Sequence, residues 1–183
     1  MLRMVNVEHE GGGAHALRMR VLPLRGPVTE KSVFYFMSRL LYLAAESPKE
    51  PILMEITSPG GLIPQSLELV RIMDNLPCAV NTFCRGTVGG MATVIGAHGA
   101  RGYRTALPNC RFSLALGEAE TGATPPKVLE ILLRDATKGR DQVLNWLATG
   151  VEFSAQEALA AGLIDFISTP PPKPARPLGP RPR

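Results

Sequence analysis

Few residues in this chain carry reactive side chains, and the stretches built to hold one are the more telling. The stretch "RGTVGGMAT" (85–93) lies between the apolar run 79–84 and the small-residue run 91–100. A strand that enters a tight turn and leaves as a helix is a geometry on which many hydrolases mount a nucleophile. Such a nucleophile needs a base within about 3 Å to take its proton. The turn itself offers Gly89 and Gly90, which have no side chain. Thr87 on the turn, Ser58 before "PGG", Ser113 in "CRFSLAL" and Cys84 at the end of the apolar run are the nucleophile types nearby. Ser58 reads as a turn former and Cys84 as a buried thiol, which leaves Thr87 as the best of these. The histidines are His9, His15 and His98. His98 follows Gly90 on the same predicted helix, about 12 Å along its axis, too far to act as a base at the turn.

The elements around these stretches alternate. Residues 1–16 hold Gly11, Gly12 and Gly13 and read as a short flexible arm or hairpin. Residues 16–24 partly alternate apolar and polar, which predicts a strand. Thr29 is placed to cap a helix running to about residue 47, ended by Pro48. Its residues Val33, Phe36, Met37, Leu40, Leu41 and Ala44 follow helical spacing, while Phe34, Tyr35, Tyr42 and Leu43 add a second apolar side. A helix apolar on two sides is deeply buried or packs against another subunit. "PILMEITS" (51–58) predicts a strand, "SPGG" its turn, and Pro64 opens a helix to about residue 75. Residues 79–84 form a strand and 89–98 a helix. "GYRTA" and "CRFSLAL" are short strands on either side of Pro108 and Asn109. After a polar link at 117–124, Pro125 and Pro126 open a long helix to about residue 148, with Gly139 a place for it to bend. Ser154 and Glu157 fit a capping box, Gly162 stops that helix, and "LIDFI" is the last strand. Strands alternating with helices predict an α/β fold of βαβ units on a largely parallel sheet.

At 183 residues, 45% hydrophobic and 20% charged, the chain suits one globular domain. The net charge of +4 sits in the tail "TPPPKPARPLGPRPR", which holds Lys173, Arg176, Arg181 and Arg183 and no acid. Without those four the 20 basic residues become 16, equal to the 16 acidic ones. A nucleic-acid binder carries its basic patch on a folded face, so this distribution argues against nucleic acid. The domain is expected at 17–168, with a proline-rich disordered tail at 169–183. No apolar run reaches the roughly 20 residues of a membrane span. The opening "MLRMVNVEHEGGG" lacks the apolar region of a secretory signal. Cys78, Cys84 and Cys110 are odd in number and widely spaced, as expected of reduced thiols in the cytoplasm or an organelle stroma or matrix. Nothing in the sequence calls for a metal or cofactor.

At "ITSPGG", at "FCRGTVGGMATVIGAHGARGYRTALPNCRF" and at "FSAQEALAAGLIDFI" the chain resembles the proteolytic subunit of the ATP-dependent Clp protease, with no gap across 79–111. The resemblance implies the α/β fold shared with the crotonases, a ββα superhelix of repeated βαβ units with a protruding handle strand and a long helix. That family cleaves peptides with a Ser, a His and an Asp. Carried over position by position, the Ser falls at Gly90, the His at Ala115 and the Asp near Gly150. The resemblance therefore implies a subunit without the catalytic triad, with a structural or regulatory role in ring assembly and peptide handling. Family members hold the oxyanion with the amides of the second Gly of "SPGG" and of the residue after the nucleophile. Those positions are Gly61 and Met91, with Gly60 beside them; Gly60 and Gly61 equally fit a plain tight turn. The extended backbone after Gly61 and the segment after Ala115 would grip a peptide as an added strand. The backbone at position 90 is expected to accept Ser in Gly90→Ser.

The implied partners are Clp proteolytic subunits, the same or different, in heptameric rings, and a polypeptide substrate. An AAA+ unfoldase is implied as well, although the N-terminal arm is shorter here than the family's segment that meets it. Two other readings stand beside this one. The first is an active serine-type endopeptidase with a relocated nucleophile, Thr87 foremost. The second is a crotonase-fold acyl-CoA enzyme whose paired amides polarise a thioester, against which the short chain counts.

Overall fold

The computed structural model describes residues 20–116 and 125–168. A five-stranded, wholly parallel sheet runs in the order β1-β2-β3-β5-β8. Its strands are β1 (Val21–Arg25), β2 (Ile52–Thr57), β3 (Val80–Cys84), β5 (Arg104–Ala106) and β8 (Phe166–Ile167). A second sheet sets β4 (Thr87–Val88) parallel to β6 (Arg111–Ser113), and β6 antiparallel to β7 (Glu152–Ser154). The helices are α1 (Glu30–Glu46), α2 (Ile63–Asn75), α3 (Met91–Ala97), α4 (Pro126–Asp135), α5 (Arg140–Thr149) and α6 (Ala155–Ala160). This is the α/β architecture of βαβ units on a parallel sheet expected from the sequence.

The large sheet is buried on one face and half open on the other. Along β1, β2 and β3, buried residues such as Leu24, Ile56 and Cys84 alternate with half-buried ones such as Leu53 and Asn81. Parallel sheets ordinarily carry cover on both faces. Here α1, α2 and α3 supply the apolar layer on one side through Leu40, Leu43, Leu69, Val94 and Ile95, all fully buried. Phe34, Tyr35 and Tyr42 of α1 stand exposed on the second apolar side that the sequence predicted, but Leu43, expected with them, is buried in the core, and Leu41, expected on the first side, is exposed.

Local chemistry explains where the elements begin and end. Thr29 accepts from the Ser32 N–H and Ser32 Oγ accepts from the Thr29 N–H, a reciprocal cap on α1. At the other end Arg20, in left-handed conformation (φ 52), donates to the carbonyls of Leu43 (2.7 Å), Ser47 (3.1 Å) and Glu50 (2.8 Å). It so closes the negative end of the helix. Ser154 and Glu157 cap α6 as anticipated.

One helix differs from expectation. The long helix to about residue 148, bent at Gly139, is two ten-residue helices, α4 and α5. The chain leaves helical conformation at Ala136 (ψ 165), where the Thr137 N–H donates to the Ala161 carbonyl at 3.1 Å. Gly162 packs against Thr137 so closely that a β-carbon there would lie 2.8 Å from the Thr137 nitrogen. A tertiary contact thus outcompetes helix continuation. The expected handle strand at 117–124, the arm at 1–16 and the tail at 169–183 lie outside the described residues.

Candidate functional site

The stretches singled out in the sequence meet at the C-terminal end of the large sheet. After β2 the chain turns through Ser58, Pro59, Gly60 and Gly61 into α2. Ser58 is buried and its Oγ accepts the Gly60 N–H at 3.1 Å, as a turn former does. After β3 and β4 it turns through Gly89 and Gly90 into α3. The two turns touch backbone to backbone: the Gly89 N–H donates to the Ser58 carbonyl at 2.8 Å. A β-carbon on Gly60 (φ +95) would stand 2.6 Å from the Gly89 oxygen and 3.0 Å from the Met91 nitrogen. No side chain fits there, and only glycine holds that φ without strain.

This contact brings Gly60 and Gly61 beside the start of α3. The Val28 N–H donates to the Gly60 carbonyl (2.7 Å) and the Leu62 N–H to the Val28 carbonyl (3.1 Å). That parallel bridge leaves the N–H and C=O of Gly61 on the side away from Val28. Neither the Gly61 N–H nor the Met91 N–H has an acceptor among the described residues. Unspent amides on neighbouring turns can polarise a carbonyl oxygen, and an extended edge can pair with another chain.

Gly90 adopts φ 49 and ψ −126 as the residue capping α3. A β-carbon there would lie 2.8 Å from the Ala115 carbonyl oxygen. A β-carbon on Gly150 (φ +62), the left-handed residue that ends α5, would lie 3.1 Å from the Ala115 β-carbon. The structure therefore brings Gly90, Ala115 and Gly150 together, although they come from three separated stretches. Position 90 does not accept Ser as freely as expected, because backbone rather than a movable side chain stands in the way.

The side chains around this point serve structure. The Thr93 hydroxyl lies 2.9 Å from the Val88 oxygen and 2.7 Å from the Ser113 oxygen, so it ties α3 to β4 and β6. This fastening was not read from the sequence, where Thr93 is one small residue in an apolar run. Ser113 is half-buried, its Oγ 3.3 Å from the β-carbon position of Gly89. Thr87 is exposed on β4, in register with Arg111. His98 caps the far end of α3, with Nδ1 2.8 Å from Asp135 and Nε2 3.1 Å from Asp74. Burial and the neighbouring Cys110 raise the pKa of the Cys84 thiol well above its ordinary value. Burial likewise pushes Cys110 up to about 12, so neither offers a thiolate at neutral pH.

Other cavities lie elsewhere among the described residues. One, of about 350 Å³, is lined by Asp74, Cys78, His98, Arg101 and Arg134. Another lies on the half-open face of the large sheet, against Leu53, Asn81, Tyr103 and Phe166. Among the described residues no cluster of His, Cys, Asp and Glu has the makings of a metal site, and no helix is long and apolar enough to cross a membrane.

Comparison with known proteins agrees with this geometry. Residues 13–171 match the family described as Clp protease. The ATP-dependent Clp protease proteolytic subunit of Leuconostoc citreum (strain KM20) is 30% identical to this chain, with 84% of each protein covered. Over nearly all of its described length, this chain belongs to the Clp protease family.

Proposed function

We propose that this chain is a non-catalytic Clp-type subunit, which builds a proteolytic ring and helps to hold peptide without cutting it. One observation carries this reading: Gly90, Ala115 and Gly150 meet at a single point, and none bears a nucleophile, a base or an acid. Acyl transfer by a triad needs all three roles within hydrogen-bond reach. The amides of Gly61 and Met91 and the open edge at Gly61 remain, which supports peptide handling. Gly61 and Met91, with Gly60 shaping the turn, are the backbone contacts we assign to a bound polypeptide.

Ring assembly is supported by two apolar surfaces on different sides of the molecule. The outer side of α1 exposes Phe34 at 66% and Tyr42 at 57%, and the open face of the sheet carries Tyr103 at 63% and Phe166 at 57%. Two unlike apolar patches on one molecule allow copies to join head to tail, and such contacts form a ring where the rotation between copies closes. The partners are further copies of this chain or an active Clp subunit of the same cell. Native mass spectrometry with and without that active subunit tests assembly. Casein degradation by the mixture tests whether each added copy removes one active site.

A further inference from the structure

The large sheet is parallel and covered by helices on one face only, an arrangement that parallel sheets ordinarily avoid. On the open face Leu53 of β2, Asn81 of β3, Tyr103 before β5 and Phe166 of β8 surround a hollow of about 520 Å³. Both aromatic side chains stand exposed. The Asn81 Oδ1 atom is buried and has no hydrogen-bond partner among the described residues. A buried acceptor without a donor is costly, so the hollow suits an occupant with apolar surface and an N–H to give.

The chain that follows β8 has matching chemistry. From Ser168, whose N–H donates to the Ala106 carbonyl at 2.9 Å, it continues as "TPPPKPARPLGPRPR". Pro171, Pro174, Pro177 and Pro180 recur at every third residue. Polyproline II has three residues per turn, so in that conformation these four prolines form one ridge. Proline-rich segments dock in this way on aromatic-lined surfaces, because their preformed helix has little entropy to lose. Lys173, Ala175 and Arg176 keep the backbone N–H that proline lacks, and each is a donor for Asn81 Oδ1. The reach suffices as well. Leu53 pairs with Asn81, which lies one residue before the Thr82–Arg104 pair and so beside Tyr103. In the strand order, this row runs back from Ser168 across β5 and β3 to β2. The path is roughly 20 Å from Ser168 to Leu53. About seven residues of polyproline II span it.

We propose that residues 170–180 dock in cis on the open face of the large sheet, with the proline ridge against Tyr103 and Phe166 and a backbone N–H on Asn81. The docked segment shields one of the two apolar patches assigned to assembly, and it must leave before a neighbouring copy takes that face. This last consequence, unlike the docking itself, rests on the assembly reading.

The test is hydroxyl-radical footprinting of the full chain, diluted until sedimentation velocity shows monomer. Modification of Tyr103 and Phe166 is measured by mass spectrometry against that of Phe34 and Tyr42 on α1. Assembly through both patches would protect both pairs, whereas the tail protects only the first. The ridge variant carries Pro171→Ser, Pro174→Ser and Pro177→Ser. The control carries Pro170→Ser, Pro172→Ser and Pro182→Ser, which leaves the ridge in place. Tyr103 and Phe166 should be modified about threefold faster in the ridge variant than in the parent, because the docked state is less populated. The control should match the parent, the α1 pair should not change, and the parent's protection should survive a further tenfold dilution. Equal rates in parent and ridge variant, or a control that behaves as the ridge variant does, would overturn the docking. Protection that fades on dilution would overturn docking in cis and place the tail on a second copy. At higher concentration the ridge variant should also assemble more readily than the parent. A ridge variant that uncovers the face yet assembles no better would leave the docking in place and overturn the assembly reading of that face.

Discussion

The Ala115 carbonyl oxygen lies 2.8 Å from the place where a β-carbon of residue 90 would stand. In a hydrolase that place begins a nucleophile; here a backbone oxygen of another segment stands closer to it than a β-carbon tolerates. A side chain placed at residue 90 must displace the Ala115 carbonyl.

Gly90→Ser should therefore be costly. Serine at φ 49 carries backbone strain of about 1–3 kcal/mol, before any displacement of Ala115 is counted. The variant should melt lower than the parent and hydrolyse nothing, since the nearest described histidine, His98, is engaged by Asp74 and Asp135 at the other end of α3. Thermal unfolding and a fluorogenic peptide assay check both halves. A Gly90→Ser protein as stable as the parent would mean that the turn is looser than its geometry.

Arg104 should be the most damaging charged residue to remove. It is nearly fully buried and grips Asp165 through Nε (2.9 Å) and a terminal nitrogen (2.6 Å). It also donates to the carbonyls of Ala97 (3.1 Å) and Asp135 (2.8 Å). Arg104→Ala would leave Asp165 without its cation, held only by the backbone N–H groups of Gly102 and residue 104, and the Ala97 and Asp135 carbonyls without this donor, at about 3–5 kcal/mol, and Arg104→Lys should recover little, because one ammonium cannot reproduce the fork. Chemical denaturation of the variants measures this.

The same pair predicts an acid limb of stability. Burial raises the Asp165 pKa, but hydrogen bonds from Arg104 outweigh it and hold the carboxyl below 3.8. For Asp135, too, burial raises the pKa and the bonds from His98 and Arg134 outweigh it. A folded-state pKa below the unfolded one contributes stability that is fully present above about pH 4 and is lost as pH falls through the folded value. Melting temperature should fall below pH 4 in the parent and less steeply in Asp165→Asn. Parallel slopes would contradict this.

Assembly should depend on the outer side of α1. Phe34→Glu with Tyr42→Glu places charge on residues that are 66% and 57% exposed, so the monomer should fold normally. Sedimentation velocity should show the double variant shifted from ring to smaller species. An unchanged ring would place the interface elsewhere.

Much of the scaffold was legible in the sequence because its punctuation is local. Pro48, Pro64, Gly162 and the Ser154–Glu157 box each act within one turn of chain, and the elements fall beside them. The two- and three-residue strands β4 and β7 were not legible, since they exist only through pairing with β6. The break between α4 and α5 escaped for the same reason: it is fastened by Ala161 and Gly162, far along the chain. The meeting of Gly90, Ala115 and Gly150 left no trace in periodicity or composition. Family resemblance alone pointed to those positions, and it said nothing of the Ala115 carbonyl, because glycine signals a close approach without naming the neighbour.

The most direct measurement is active-site titration with a fluorophosphonate, read as intact mass on this chain alone and on a mixture with an active Clp subunit. A non-catalytic subunit should gain no adduct in either sample, while the active subunit in the mixture labels fully. A single stoichiometric adduct on this chain, mapped to Thr87 or Ser113 and abolished by its replacement with alanine, would contradict that and establish a relocated nucleophile.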